Sequence, residues 1–299
     1  MTAPTATRTA RSTDHAGSVR PRRNRRRGHL RRTVLTLVML PICLLWIYPF
    51  LWMVSASLKT DTDIVGSVTL IPSRPQWQNY ARAWYEANVG PYFTNTVIIT
   101  VATVALVTAT TAMMGYVLGR YTFPGKRIVI GALVATMFLP QGFTIIPIFD
   151  LITDLGLAGS RLGIILAESG SAHVIIILLF AGYFRQLPRE LEEAARIDGA
   201  GFLRTFGRVM LPLARPVIAT SIIMSLQQVW NSFLIPLVLT LTRPESRTLA
   251  VGTYAFQGEN LNDYSGLAAA STISLLPIVL VFLLLQRHFV EGVAGAIRG

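Results

Sequence analysis

Six stretches of this chain carry no charge, or almost none, over lengths that a water-soluble fold does not tolerate. They are Thr33–Leu58, Asn95–Leu118, Ile128–Phe149, Leu162–Phe184, Pro216–Thr242 and Tyr264–Gln286. The shortest has 22 residues; as a helix rising 1.5 Å per residue it covers the roughly 30 Å of a bilayer's hydrocarbon core. Within lipid every backbone N–H and C=O must be satisfied by its own segment, so runs of this kind fold as helices. Only 14% of the 299 residues are charged, against about 25% in soluble domains. The expectation is an all-α membrane protein with six transmembrane helices. The fourth run is the least uniform, because Glu168 and His173 lie inside it.

Orientation follows from where lysine and arginine fall, since cytoplasmic loops carry the excess. With the N-terminus in the cytoplasm, the inside segments hold 21 basic residues and the outside segments 6; without the N-terminal tail the split is 11 to 6. Both ends are therefore expected inside, in a multi-pass membrane protein. Residues 1–32 hold ten arginines and a single acid, Asp14. With little to bury, this basic tail is expected to be disordered. Nucleic-acid binding is one use of such a charge cluster; attraction to anionic lipid headgroups is the other. A span follows directly, which favours lipid and no nucleic acid. Arg31-Arg32 with Ser55-Ala56-Ser57 faintly resembles a cleaved signal, but the uncharged run has 26 residues, beyond the roughly 7–15 of a signal core. Residues 33–299 are expected to form one transmembrane domain.

The loop 185–215 holds six basic and four acidic residues, so it lies in water, yet it has helical patterning. Pro188 suits a first turn, and Glu190, Glu192 and Glu193 favour the positive end of a helix. Asp198-Gly199 stops it, glycine being free to take the left-handed cap conformation. In a second helix Phe202, Phe206, Val209 and Met210 fall at i, i+4, i+7 and i+8, an apolar stripe. Such a stripe on a short projecting element must be covered. Docking in the groove of a partner protein would cover it, and so would a membrane surface.

Glu193-Ala194-Ala195, then three residues, Gly199, nine residues, and Val209-Met210-Leu211-Pro212 resembles the EAA loop of binding-protein-dependent ABC importer permeases. The departure is Val209, where isoleucine is common. The resemblance implies the type I importer permease fold, with this loop as a cytoplasmic coupling helix seated in a cleft of an ATPase subunit. Glu193, Ala194, Ala195, Asp198, Gly199, Ala200, Phe202 and Phe206 are then the ATPase-coupling positions, with Gly199 as hinge. Further cues are Pro49–Met53, Ser57-Leu58-Lys59, Asn79-Tyr80, Phe93–Thr96, Tyr121–Gly125, Pro140-Gln141, Trp230–Phe233 and Gly292–Gly299. Together they resemble the shorter, six-span subunit of maltose-type carbohydrate-uptake permeases. The implied partners are a second permease, two ATPase subunits and an extracytoplasmic solute-binding protein.

An ATPase needs a phosphate-cradling G-x-x-x-x-G-K-[ST] loop. The nearest approach, Gly119 to Gly125-Lys126-Arg127, is one residue too long and lacks the hydroxyl. ATP therefore belongs to partner subunits, and no catalytic or metal site is expected in this chain. Gln227, Gln228, Trp230 and Asn231 stand in the fifth run, where amides need partners. They are the candidate solute-path residues, the indole being able to stack on a sugar ring; hydrogen bonding between helices is the alternative use. Two rivals stay open, an importer permease for a non-sugar solute and a secondary transporter; a third, a membrane hydrolase, is disfavoured because the spans lack clusters of His, Asp or Glu. The second would show an internal repeat and buried charge relays, and the sequence has no such repeat.

Overall fold

A computed structural model describes residues 25–171, 173–258 and 263–297; most of the basic tail, residues 1–24, lies outside them. Every regular element among the described residues is helical. Helix α1 is Arg25–Ala56, followed by the short α2 (Asp61–Gly66) and α3 (Gln78–Tyr85). Next come α4 (Val89–Arg120), α5 (Lys126–Thr136), α6 (Gln141–Asp154), α7 (Arg161–Gly170) and α8 (Val174–Gln186). The 185–215 loop contributes α9 (Glu190–Ile197), α10 (Phe202–Thr205), a widened π turn at Phe206–Met210, and α11 (Leu211–Leu213). The chain ends with α12 (Arg215–Trp230), α13 (Leu234–Leu239), α14 (Leu249–Gly258) and α15 (Tyr264–Ile297).

Contacts divide the chain after Phe50. The first unit is the long apolar part of α1, whose side chains are bare: Leu45 and Trp46 are each 73% exposed. In water that surface would be intolerable; in a membrane it is ordinary. The second unit, from Leu51 onward, holds everything else.

Among the described residues, three helices are long and apolar enough to cross a membrane unbroken: Thr33–Ala56 of α1, α4, and Tyr264–Leu284 of α15. The other three expected spans are interrupted. The third run breaks before Pro140, between α5 and α6. In the fourth, α7 ends at Gly170 and α8 begins at Val174. The fifth stops at Trp230 and resumes at Leu234. Irregular backbone at such depth is tolerated only where protein or a polar cavity surrounds it.

Helix α4 is the hub, packing on α8, α12, α7 and α14. Its approach to α8 depends on Gly115 and Gly119, one turn apart. A Cβ on Gly115 would lie 2.3 Å from Phe180 Cβ, and one on Gly119 2.7 Å from the Ala181 carbonyl oxygen. This is the small-x-x-x-small device by which membrane helices bring their backbones together. Toward α12 the contact is built from hydroxyls: Thr108 and Ser221 lie 3.3 Å apart, and Thr103, Thr220 and Ser225 are buried.

Several resemblance cues prove to be pins at the end of the molecule away from the 185–215 loop. Asn79 donates to the carbonyls of Ser57 (3.0 Å) and Lys59 (2.9 Å), and the Tyr80 and Ser57 hydroxyls meet at 2.7 Å. Asn95 donates to the carbonyls of Glu245 (2.8 Å) and Arg247 (2.9 Å), while the Thr96 hydroxyl accepts from the Leu249 N–H at 2.7 Å. These amides satisfy backbone groups that loop geometry would otherwise orphan.

Candidate functional site

The 185–215 loop folds as a compact turn between α8 and α12. Helix α9 ends in a Schellman motif: Ala200 N–H reaches the Ala195 carbonyl (2.9 Å) and Gly199 N–H the Arg196 carbonyl (3.0 Å), with Gly199 at φ +74°. This is the left-handed cap anticipated from Asp198-Gly199. An added Cβ at Gly199 would meet no atom within 4 Å, so the backbone conformation, not space, selects glycine there. The segment Phe202–Leu213 then meets α12 at 82°. The π turn at Phe206–Met210 interrupts what the sequence suggested as one regular second helix.

Most of the apolar stripe is covered by the chain itself: Phe206 and Met210 are buried and Val209 half-buried, while Phe202 stays 40% exposed, which corrects the expectation that a partner or a membrane surface must cover the whole stripe. Phe206 is 8% exposed and Met210 fully buried, in a core with Tyr116 of α4 and Phe180 and Phe184 of α8. Ring centroids of Tyr116 and Phe206 are 5.3 Å apart, and those of Tyr116 and Phe202 5.5 Å. Periodicity shows that a face is buried but not against what; here α4 and α8 end beside the loop and supply the partner. Phe206 can therefore act on a docking partner only through this core.

Other residues of the loop, with part of Phe202, are bare. Ile197 is 86%, Leu203 68% and Phe202 40% exposed, and Glu193, Ala194, Asp198 and Gly199 are exposed beside them. Ala195 is buried and Ala200 half-buried. Exposed apolar side chains thus stand at the end of α9 and the start of α10, on either side of the Gly199 turn, with exposed Glu193, Asp198, Arg196 and Arg204 among them. Clustered exposed apolar side chains mark an interaction site more reliably than scattered ones.

Sequence reasoning passed over Arg120 and Glu192. Arg120, the last residue of α4, lies with its guanidinium Nε 3.1 Å from Glu192 Oε1; the side chains are 4% and 11% exposed. Arg120 also donates to the Leu187 carbonyl at 2.7 Å and to those of Phe184 and Pro188, each at 3.3 Å. The available signal was a lone arginine closing an apolar run and a second glutamate beside Glu193.

The candidate solute-path residues separate. Gln227, Gln228 and Asn231 are exposed on this chain, an unusual state for amides in an apolar helix. Asn231 ends α12 and donates to the Gln227 carbonyl at 2.8 Å. Trp230 is only 5% exposed. Its indole N–H goes to Ser274, and its ring meets Phe93 edge-on at 5.9 Å, so in this conformation it packs between helices and offers no free face. Across the same break Ser232 donates to the Glu168 carboxylate, which is 3% exposed. His173, also buried, has its Nε2 3.1 Å from the Glu168 carbonyl oxygen. Glu168 thus ties the end of α7 to the break between α12 and α13, while His173 spans the break between α7 and α8.

This architecture and this loop have counterparts in known proteins. The chain is 36% identical over 259 residues to a diacetylchitobiose uptake system permease protein of Streptomyces coelicolor, covering 85% of each. It is 31% identical over 268 residues to a melibiose/raffinose/stachyose import permease protein of Bacillus subtilis, covering 89% of this chain and 96% of that one. Among solved structures, a bacterial ABC transporter involved in import of the acidic polysaccharide alginate has a chain with the same fold. It superposes with a TM-score of 0.73 over 88% of this chain and 98% of that one, at 24% identity. Residues 111–295, which include the whole 185–215 loop, match a family model for the binding-protein-dependent transport system inner membrane component, and the chain belongs to that family.

Proposed function

We propose that this chain is one of two permease subunits of an ATP-driven importer and that its solute is an oligosaccharide. The observation that carries the reading is the bare patch of Ile197, Phe202 and Leu203 beside Glu193 and Ala194, in a loop of EAA pattern on a bundle of apolar helices. A patch that this chain leaves uncovered is suited to the groove of an ATPase subunit. The chain itself makes and breaks no covalent bond. Partner subunits bind and hydrolyse ATP, and a binding protein delivers the solute from the other side. The excess of 21 basic residues to 6 supports a cytoplasmic loop and cytoplasmic ends in a bacterial plasma membrane. The relatives named for diacetylchitobiose and for melibiose, raffinose and stachyose support an oligosaccharide. Exposed Asn231, Gln227 and Gln228 are the groups on this chain suited to its hydroxyls, and Trp230 serves as packing beside them.

The test is uptake in proteoliposomes containing both permeases and the ATPase subunits, with binding protein supplied outside. Labelled diacetylchitobiose, melibiose, raffinose and stachyose are offered separately. ATP-dependent uptake of at least one, with Leu203→Cys crosslinking to an ATPase subunit, is expected. Uptake that continues without ATPase subunits would instead indicate a secondary transporter.

A further inference from the structure

Glu192 neighbours the residues that the EAA pattern singles out, yet it faces the opposite way, into the protein. We propose that the Arg120–Glu192 pair is the positioning link that carries a displacement of α9 into α4. This rests on the reading of the loop as the docking site of an ATPase subunit.

The main backbone neighbours of α9 are α10 and the Phe206–Met210 turn; Arg120 brings to it a side chain from α4. Glu192 Oε2 accepts a hydrogen bond from Arg120 Nη2 at 3.1 Å, and Oε1 lies 3.1 Å from Nε as the nearer oxygen of an ion pair, without a hydrogen bond of its own. A guanidinium is planar, so its hydrogen bonds to Glu192 Oε2 and to three carbonyls together fix its orientation beside the charge. The remaining N–H groups hold the carbonyls of Phe184, Leu187 and Pro188 at the end of α8. One side chain therefore joins the ends of α4 and α8 to the first turn of α9.

With both side chains almost out of water, opening the pair would leave an uncompensated charge, so it stays closed while its surroundings move. Stability alone is a weak reason for a charged pair here, because an apolar pair of similar volume often serves as well. What an apolar pair lacks is fixed geometry. Helix α4 then delivers the motion elsewhere: it packs on α12, α7 and α14, and Asn95 near its other end holds the 245–247 backbone. Running unbroken over 32 residues, it is a stiff rod.

The experiment uses the complete transporter in nanodiscs and reads hydrogen–deuterium exchange with and without ATP plus vanadate. Two peptides are followed: 190–205, at the docking face, and 89–100, at the far end of α4. In wild type both should change on nucleotide binding. In Arg120→Met/Glu192→Leu, whose apolar pair keeps the volume, the 190–205 response should persist. The 89–100 response should fall about 10-fold, within the 5–150-fold range of typical coupling. The swap Arg120→Glu/Glu192→Arg should restore part of it, and Glu192→Gln should lie between. An undiminished 89–100 response in the apolar variant would overturn the link. Failure of both the apolar and the Gln variant to assemble would also overturn it, by making the pair purely structural. Wild-type protein that binds no ATPase subunit would overturn the reading of the loop, and this link with it.

Discussion

Replacing Gly199 isolates backbone conformation from every other property of the docking loop. At φ +74° a non-glycine L-residue costs about 1–2 kcal/mol, from the clash of Cβ with the following carbonyl. No further steric cost arises, since an added Cβ would have no neighbour within 4 Å. Undocked, a variant loop is free to relax out of this turn, whereas docked it must keep it, so the cost subtracts from docking affinity, and about 1.4 kcal/mol is a factor of ten. Gly199→Ala is therefore expected to bind ATPase subunits about 10-fold more weakly. Gly199→Asn, a residue type enriched in the left-handed region, should stay within about 3-fold of wild type. Gly199→Asp resembles Asn in backbone preference, so any larger defect measures a misplaced charge on the docking face. The assay is titration of detergent-solubilised permease with labelled ATPase subunits, alongside ATP-driven uptake. Ala and Asn variants equally impaired, or Ala binding like wild type, would refute the argument from φ.

The bare patch and the buried stripe should behave oppositely. Leu203→Glu is expected to leave the melting temperature within a degree or two, since surface changes cost about 0.5 kcal/mol or less, while abolishing pull-down of ATPase subunits. Phe206→Ala removes a ring packed on Tyr116 and Phe184 and should cost about 3–5 kcal/mol of stability, seen as lower yield and an earlier thermal transition. Asn231→Ala is expected to lower the uptake rate with assembly intact. Trp230→Ala, which empties a buried site on Phe93, should instead reduce thermal stability.

The unbroken spans and the loop's turn were legible in the sequence for a common reason: they are local. A run such as Thr33–Leu58 has one low-energy answer in lipid whatever surrounds it. Asp198-Gly199 after a short helix likewise specifies its cap from neighbouring backbone alone. The EAA spacing was equally visible, because residues on one short loop keep their order in space.

What required the tertiary structure was every statement about partners between elements distant in sequence. The stripe of Phe202, Phe206, Val209 and Met210 shows its period in sequence, but only the ends of α4 and α8 decide that Phe206 and Met210 are covered internally. Trp230 and Asn231 are adjacent, yet one is enclosed by Phe93 and Ser274 and the other is exposed. Arg120 and Glu192 stand 72 positions apart and belong to no shared motif. Their pairing depends on Gly115 and Gly119 letting α4 and α8 approach closely enough to place both side chains at one corner. Local conformation is set by a residue and its neighbours along the chain, whereas the identity of a contact depends on how whole helices pack, and that information is spread over all of them.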